Sequence, residues 1–129
     1  MTSSVSTSLA LVVDDSMDNR EIFRIVLEAA GYTVSCASNG EEALARLGTQ
    51  KFRLMILDLA MPVMNGRDMM QILSAHPEQR PENIIVATAN YHMATEIVEE
   101  MADYVLVKPV MIKELVTLAK RLNPAYPPA

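Results

Sequence analysis

Apolar stretches recur along the chain at intervals that fit strands alternating with helices. Leu9–Val13 contains no polar residue and reads as a buried strand. Ser16 then stands as an N-cap, with Ile22, Phe23, Val26, Ala29 and Ala30 as the apolar stripe of a helix that stops at Gly31. Tyr32–Cys36 is a second strand. Asn39-Gly40 opens a second helix, which runs to Gly48 and carries Glu41 and Glu42 in the first turn, where the helix dipole favours them. Arg53–Leu57 is continuous and apolar, which marks it as the central strand. A third helix covers Gly66–Ala75, and a loop over residues 76–81 with two prolines returns the chain to a fourth strand, Asn83–Ala87. A fourth helix, Ala94–Met101, precedes a fifth strand, Tyr104–Val107. The last helix, Ile112–Leu122, ends before Asn123-Pro124, since proline cannot continue it. Five strands alternating with five helices through short connections predict a doubly wound α/β sandwich on a parallel sheet.

The strands deliver polar groups at their C-terminal ends. Asp14-Asp15 follows the first strand, Asp58 the third, Thr88 the fourth and Lys108 the fifth. In such sheets the ligand lies beyond the carboxyl ends of the strands, so these residues belong to one site. An acidic group at the end of a buried strand is costly unless its charge is used. Three carboxylates in one pocket repel one another and raise each other's pKa values, a conflict that a hard divalent cation resolves. Mg2+ suits that role, because it takes one or two carboxylates, keeps several waters and accepts a phosphate oxygen. Lys108 adds a mobile positive charge and Thr88 a hydroxyl donor for the same group. The set is equipped to transfer a phosphoryl group to a carboxylate.

Composition narrows the alternatives. A chain of 129 residues is one domain, and a net charge of −5 argues against binding nucleic acid. No run of about 18 apolar residues is available to span a membrane. The start Met1–Ser8 lacks a secretory signal and reads as a disordered tail, and residues 123–129 read as a short proline-rich tail. These features predict a cytoplasmic protein, with Cys36 a small buried apolar residue. His76 and His92 lie in polar contexts and read as solvated.

Taken singly, each site residue has an ordinary explanation: a dipole-stabilised acidic pair, a turn aspartate, a β-branched strand residue, a strand end meeting a proline. Four such coincidences at one sheet edge do not arise by chance. Asp14-Asp15, Asp58-Leu-Ala-Met-Pro-Val-Met-Asn-Gly66, Thr88-Ala89 and Lys108-Pro109, in that order, resemble the receiver domain of bacterial two-component response regulators over Leu9–Leu122. The resemblance implies a flavodoxin-like five-stranded sheet in the order 2-1-3-4-5. It implies that Asp58 accepts a phosphoryl group from a histidine kinase or histidine phosphotransfer protein. Asp15 would ligate Mg2+ directly, Asp14 largely through water, and the Ala60 carbonyl would complete the protein ligands together with Asp58. Thr88 and Lys108 would meet the phosphoryl oxygens, Lys108-Pro109 would be a cis peptide, and Asn90 and Ala60 would flank the water of a self-catalysed hydrolysis. The protein would be a monomer or weak dimer acting on an unknown downstream protein, and not an enzyme in the ordinary sense.

Two departures stand out. The family places an aromatic switch residue three positions before the lysine, and here that position is Val105. Tyr104 is one residue earlier, so strict alternation points it to the other face of the strand. The interval from Thr88 to Lys108 is also about two residues shorter than in the family, which alters the fourth helix or the loop before it. Because only residues 123–129 follow the last helix, the sequence predicts a module without an output domain. A receiver excised from a hybrid kinase or larger regulator is the alternative. A phosphohydrolase with an aspartyl nucleophile is disfavoured by Ala60 at the general-acid position. A flavin binder is disfavoured by Asp14-Asp15 where a phosphate loop would stand.

Overall fold

In the computed structural model, residues 8–125 are described, and they form a parallel sheet covered on both faces by helices. The strands are β1 (Ser8–Val13), β2 (Tyr32–Ala37), β3 (Leu54–Leu57), β4 (Asn83–Thr88) and β5 (Tyr104–Val107), in the spatial order β2-β1-β3-β4-β5. The helices are α1 (Met17–Ala29), α2 (Gly40–Leu47), α3 (Gly66–Leu73), α4 (Glu96–Met101) and α5 (Ile112–Leu122). This is the doubly wound sandwich expected from the alternation of elements, in the flavodoxin-like strand order that the family resemblance implies.

Strand alternation sorts the core into two layers. Ala10, Val12, Leu54, Ile56, Ile85 and Ala87 face α1 and α5, where Phe23, Val26, Leu27 and Leu115 close over them. Leu11, Val13, Met55, Leu57, Ile84 and Val86 face α2, α3 and α4, where Leu47, Met69, Met70, Leu73 and Val98 close over them. Ser16, Asn39 and Asn65 cap α1, α2 and α3, each accepting from a backbone N–H three residues on.

Several expected details shift. In α1 the buried stripe is Phe23, Val26, Leu27 and Ala30, whereas Ile22 and Ala29 are exposed. Ile22 neighbours Phe23 but points about 100° away, toward a surface groove. α3 stops at Leu73 rather than Ala75, and a 3-10 turn over Pro77–Gln79 forms within the expected loop. The expected fourth helix, Ala94–Met101, begins only at Glu96, and a 3-10 turn, Tyr91–Met93, forms in the connection before it. Cys36 is half-buried rather than fully so, and burial raises its thiol pKa.

The tails also differ from expectation where they are described. Ser8 opens β1, and its buried hydroxyl donates to Asn123 Oδ1 at 2.6 Å. Asn123 Nδ2 in turn donates to the Ala30 carbonyl at 2.9 Å, which ties the start of the sheet to the ends of α1 and α5. The remainder of both predicted tails, residues 1–7 and 126–129, lies outside the described residues.

The loop after β3 contains one backbone conformation that its residue disfavours. Val63 has φ 68° and is exposed, a left-handed conformation that a β-branched side chain resists. Val63→Asn is therefore expected to stabilise the fold by about 1 kcal/mol, measured by urea unfolding.

Candidate functional site

The register of the sheet brings the predicted residues together. β1 pairs with β3 so that Val13 lies opposite Leu57, and the Asp58 N–H donates to the Val13 carbonyl at 2.9 Å. Asp14 and Asp58 thus leave neighbouring strands at the same level. On the other side, the Lys108 N–H donates to the Thr88 carbonyl at 2.8 Å, which aligns the ends of β4 and β5. The Lys108–Pro109 peptide that follows is cis.

Asp14, Asp15 and Asp58 each place a carboxylate oxygen within 4.8 Å of the others. Asp14 and Asp58 are buried, and Asp15 is exposed at the mouth. Lys108 Nζ lies 2.8 Å from Asp14 Oδ2 and 3.8 Å from Asp58 Oδ2. Three carboxylates against one ammonium leave the pocket two charges short, which a divalent cation matches. The donor set is all oxygen and half-open to solvent, so it fits Mg2+ and not a soft transition metal.

The titration of Asp58 is displaced upward. Burial raises its pKa above the ordinary carboxylate value, and repulsion from Asp14 and Asp15 adds to the rise. The Lys108 ammonium and the Ala60 N–H, which donates to Asp58 Oδ1 at 3.3 Å, oppose it. A carboxylate that is under-stabilised in this way gains when a cation or a new covalent partner relieves it.

Two polar groups of α1 complete the site and were not singled out from the sequence. Asn19 Nδ2 donates to Asp14 Oδ2 at 3.4 Å, and an Arg20 guanidinium N–H donates to the Asp14 carbonyl at 2.8 Å. The Ser16 N–H also donates to Asp14 Oδ1, at 2.9 Å. The Ser16 cap carried the signal, because it sets residues 19 and 20 in the first turn above Asp14.

The floor beneath Asp58 leaves no room for larger residues. The Gly66 N–H donates to the Leu59 carbonyl at 3.0 Å, and a Cβ on Gly66 would come within 2.6 Å of the Asp58 carbonyl. Gly66 is the close-approach point where the loop folds back under the end of β3.

Thr88 is fully buried, and its hydroxyl is engaged with Asn90: it accepts from the Asn90 N–H at 3.2 Å and donates to the Asn90 carbonyl at 3.3 Å. The Asn90 side chain accepts from the His92 N–H at 2.9 Å. Ala60 and Asn90 are both exposed at the rim. β5 pairs with β4 without a bulge, from Ile85–Tyr104 to Thr88–Val107. Val105 therefore packs with the α4 layer, while Tyr104 lies on the other face, in a groove with Leu106 and Leu118. His76 and His92 are exposed.

Comparisons with known proteins agree with this geometry. The family model described as the response regulator receiver domain matches residues 10–120. The chain is 33% identical to a 14.6 kDa protein of Leptolyngbya boryana, covering 92% of each chain. It is also 33% identical to the transcriptional regulatory protein PrrA of Mycobacterium leprae, covering 95% of this chain and 52% of that protein. The chain thus spans about half the length of some of the curated relatives it matches. Among solved structures, the response regulator protein TrrA of Thermotoga maritima, in complex with Mg(2+)-BeF, superposes with a TM-score of 0.79 at 32% identity. That match covers 91% of this chain and all (100%) of TrrA. Among the described residues, no helix is long and apolar enough to cross a membrane.

Proposed function

The chain belongs to the response regulator receiver domain family, and on that footing we propose that Asp58 is a phosphoryl acceptor in a two-component or phosphorelay pathway. The phosphoryl group comes from the phosphohistidine of a histidine kinase or phosphotransfer protein: the N–P bond of the donor breaks as a P–O bond to Asp58 forms. Asp58, Asp14 and Asp15 hold Mg2+, which supplies charge neutralisation for the transfer, and the Ala60 carbonyl adds a further ligand. Lys108 pairs with a phosphoryl oxygen in exchange for Asp14, and Thr88 donates its hydroxyl to another. Self-catalysed hydrolysis, with Ala60 and Asn90 flanking the water, resets the signal. The module changes its docking to a downstream protein and turns over no other substrate.

The observation that carries this reading is the under-stabilised Asp58 carboxylate beside two more acids and a single lysine. It is tested by incubating the protein with acetyl phosphate: intact mass should rise by one phosphoryl group with Mg2+ present and stay unchanged with a chelator. Uptake that is indifferent to the metal would refute it.

The donor protein has an apolar seat beside the site. Ile22, Phe23, Pro109, Val110 and Ile112 line a groove that runs up to Lys108, and Ile22 and Ile112 are 46% and 47% exposed. The double variant Ile22→Lys, Ile112→Lys is expected to slow transfer from a phosphohistidine protein by about tenfold. Labelling by acetyl phosphate, which needs no docking, should keep its wild-type rate, so the two donors compared side by side check the assignment.

A further inference from the structure

Building on the reading of Asp58 as phosphoryl acceptor, we propose that Asn19 is a positioning residue that takes over the Asp14 carboxylate when Lys108 leaves it for the phosphoryl group. Asp14 is buried, so its charge needs donors in every state of the site. Its contacts divide by atom. The Ser16 N–H donates to Oδ1 at 2.9 Å, and Arg20 donates to the backbone carbonyl at 2.8 Å. Lys108 and Asn19 converge on the remaining oxygen, Oδ2, at 2.8 Å and 3.4 Å. Among the described residues, Asn19 is therefore the side chain already placed on the oxygen that Lys108 vacates.

The two distances carry the inference. At 2.8 Å the ammonium makes a full charge-assisted bond, whereas 3.4 Å is at the long end of what an amide donor can use. Asn19 contributes little while Lys108 holds Oδ2. Once Lys108 pairs with a phosphoryl oxygen, the ammonium no longer competes for Oδ2, and the amide closes to a full bond with a charged acceptor. An interaction that is weak before the transfer and strong after it favours the transferred state.

The surroundings permit that closure and oppose the alternative, in which Asp14 follows the lysine. The Asp14 backbone is held on both sides, by its own N–H donating to the Ala37 carbonyl at 3.1 Å and by Arg20 at its carbonyl. Asn19 stands in the first turn of α1, where its N–H donates to the Ser16 cap at 3.2 Å. Phe23, Val26 and Leu27 pack that helix onto the sheet. The backbone of Asn19 is thus fixed, and a small side-chain rotation is all the closure needs. Asn19 and Lys108 also line the same groove, so the ammonium can move without displacing α1.

Asn19→Leu tests it, because the substitution keeps the size and removes the donor. Beryllofluoride, a phosphoryl mimic, should bind the variant about tenfold more weakly than wild type when Mg2+ is present. Without metal or mimic, the urea midpoint should move by less than about 0.3 M. Asn19→Gln, which retains an amide donor, should restore most of the binding. A second arm needs no phosphoryl mimic. In metal-free Lys108→Met the ammonium is gone from Oδ2 for good, so adding Asn19→Leu there should lower the urea midpoint by about 1 M, several times its effect beside Lys108. Wild-type beryllofluoride affinity in Asn19→Leu, or equal effects of Asn19→Leu in the two backgrounds, overturns the proposal. Wild-type protein that ignores both acetyl phosphate and beryllofluoride overturns the reading of Asp58 instead, and the Lys108→Met arm alone then decides whether Asn19 replaces the lysine.

Discussion

Asp58→Asn is expected to reduce phosphoryl uptake from acetyl phosphate to below about a thousandth of wild type, because the amide offers no nucleophilic oxygen anion. The same substitution should make the metal-free protein more stable at neutral pH. The sign follows from the direction of the Asp58 pKa, which burial and the neighbouring acids raise. A carboxyl with a raised native pKa binds its proton more tightly in the folded chain, so its favourable contribution is complete below the ordinary carboxylate pKa. That contribution is lost as pH climbs through the raised native value. At neutral pH the ionised Asp58 is a liability that asparagine removes, while in acid the two proteins converge. Urea unfolding at neutral and acidic pH, without metal, measures the difference. A variant less stable than wild type at neutral pH would mean that Lys108 outweighs burial at this carboxylate. Metal binding should follow the same titration, weakening as pH falls into the window between the ordinary and the raised value of Asp58.

The parts of the protein that were legible in the sequence are those in which one residue type has one place to go. β1 and β3 lie inside the sheet, so their apolar runs mark them without ambiguity, and the charges at their ends mark the site edge. Val105 and Tyr104 were separable for the same reason: strand alternation allows one face each, and an unbroken register with β4 leaves no bulge to exchange them. The helical connections were less legible. Ile22 and Phe23 are both large and apolar, and the pattern of one helix does not say which of them the sheet will cover. The division of residues 91–101 into a 3-10 turn and a short α4 was hidden because it depends on Thr88 and Asn90. Neither contact has a periodic signature. The contributions of Asn19 and Arg20 to Asp14 escaped for a related reason. They are polar residues on an amphipathic helix, and only the direction of its first turn shows that they point at an acid.

Lys108→Met should have the largest effect on stability among substitutions at the site, and the metal should reverse it. Lys108 Nζ is 2.8 Å from a carboxylate that is almost wholly buried, and 3.8 Å from a second buried one. Removing one partner of a buried pair leaves the other charge unmatched, which costs about 3 kcal/mol or more. Asp14 keeps the Ser16 N–H and the Asn19 amide, which soften the loss without neutralising the charge. Mg2+ competes with Lys108 for the same oxygens, so the variant should bind the metal more tightly than wild type and regain most of its stability when metal is added. Phosphoryl uptake should not recover with it, because a methionine offers no charge to the oxygens of the phosphoryl group. Calorimetric Mg2+ titration and urea unfolding with and without the metal would establish the pattern. A variant that is unstable in both conditions would place the role of Lys108 in packing rather than charge. Full stability in both would mean that the Asp14 carboxylate is satisfied by its α1 donors alone.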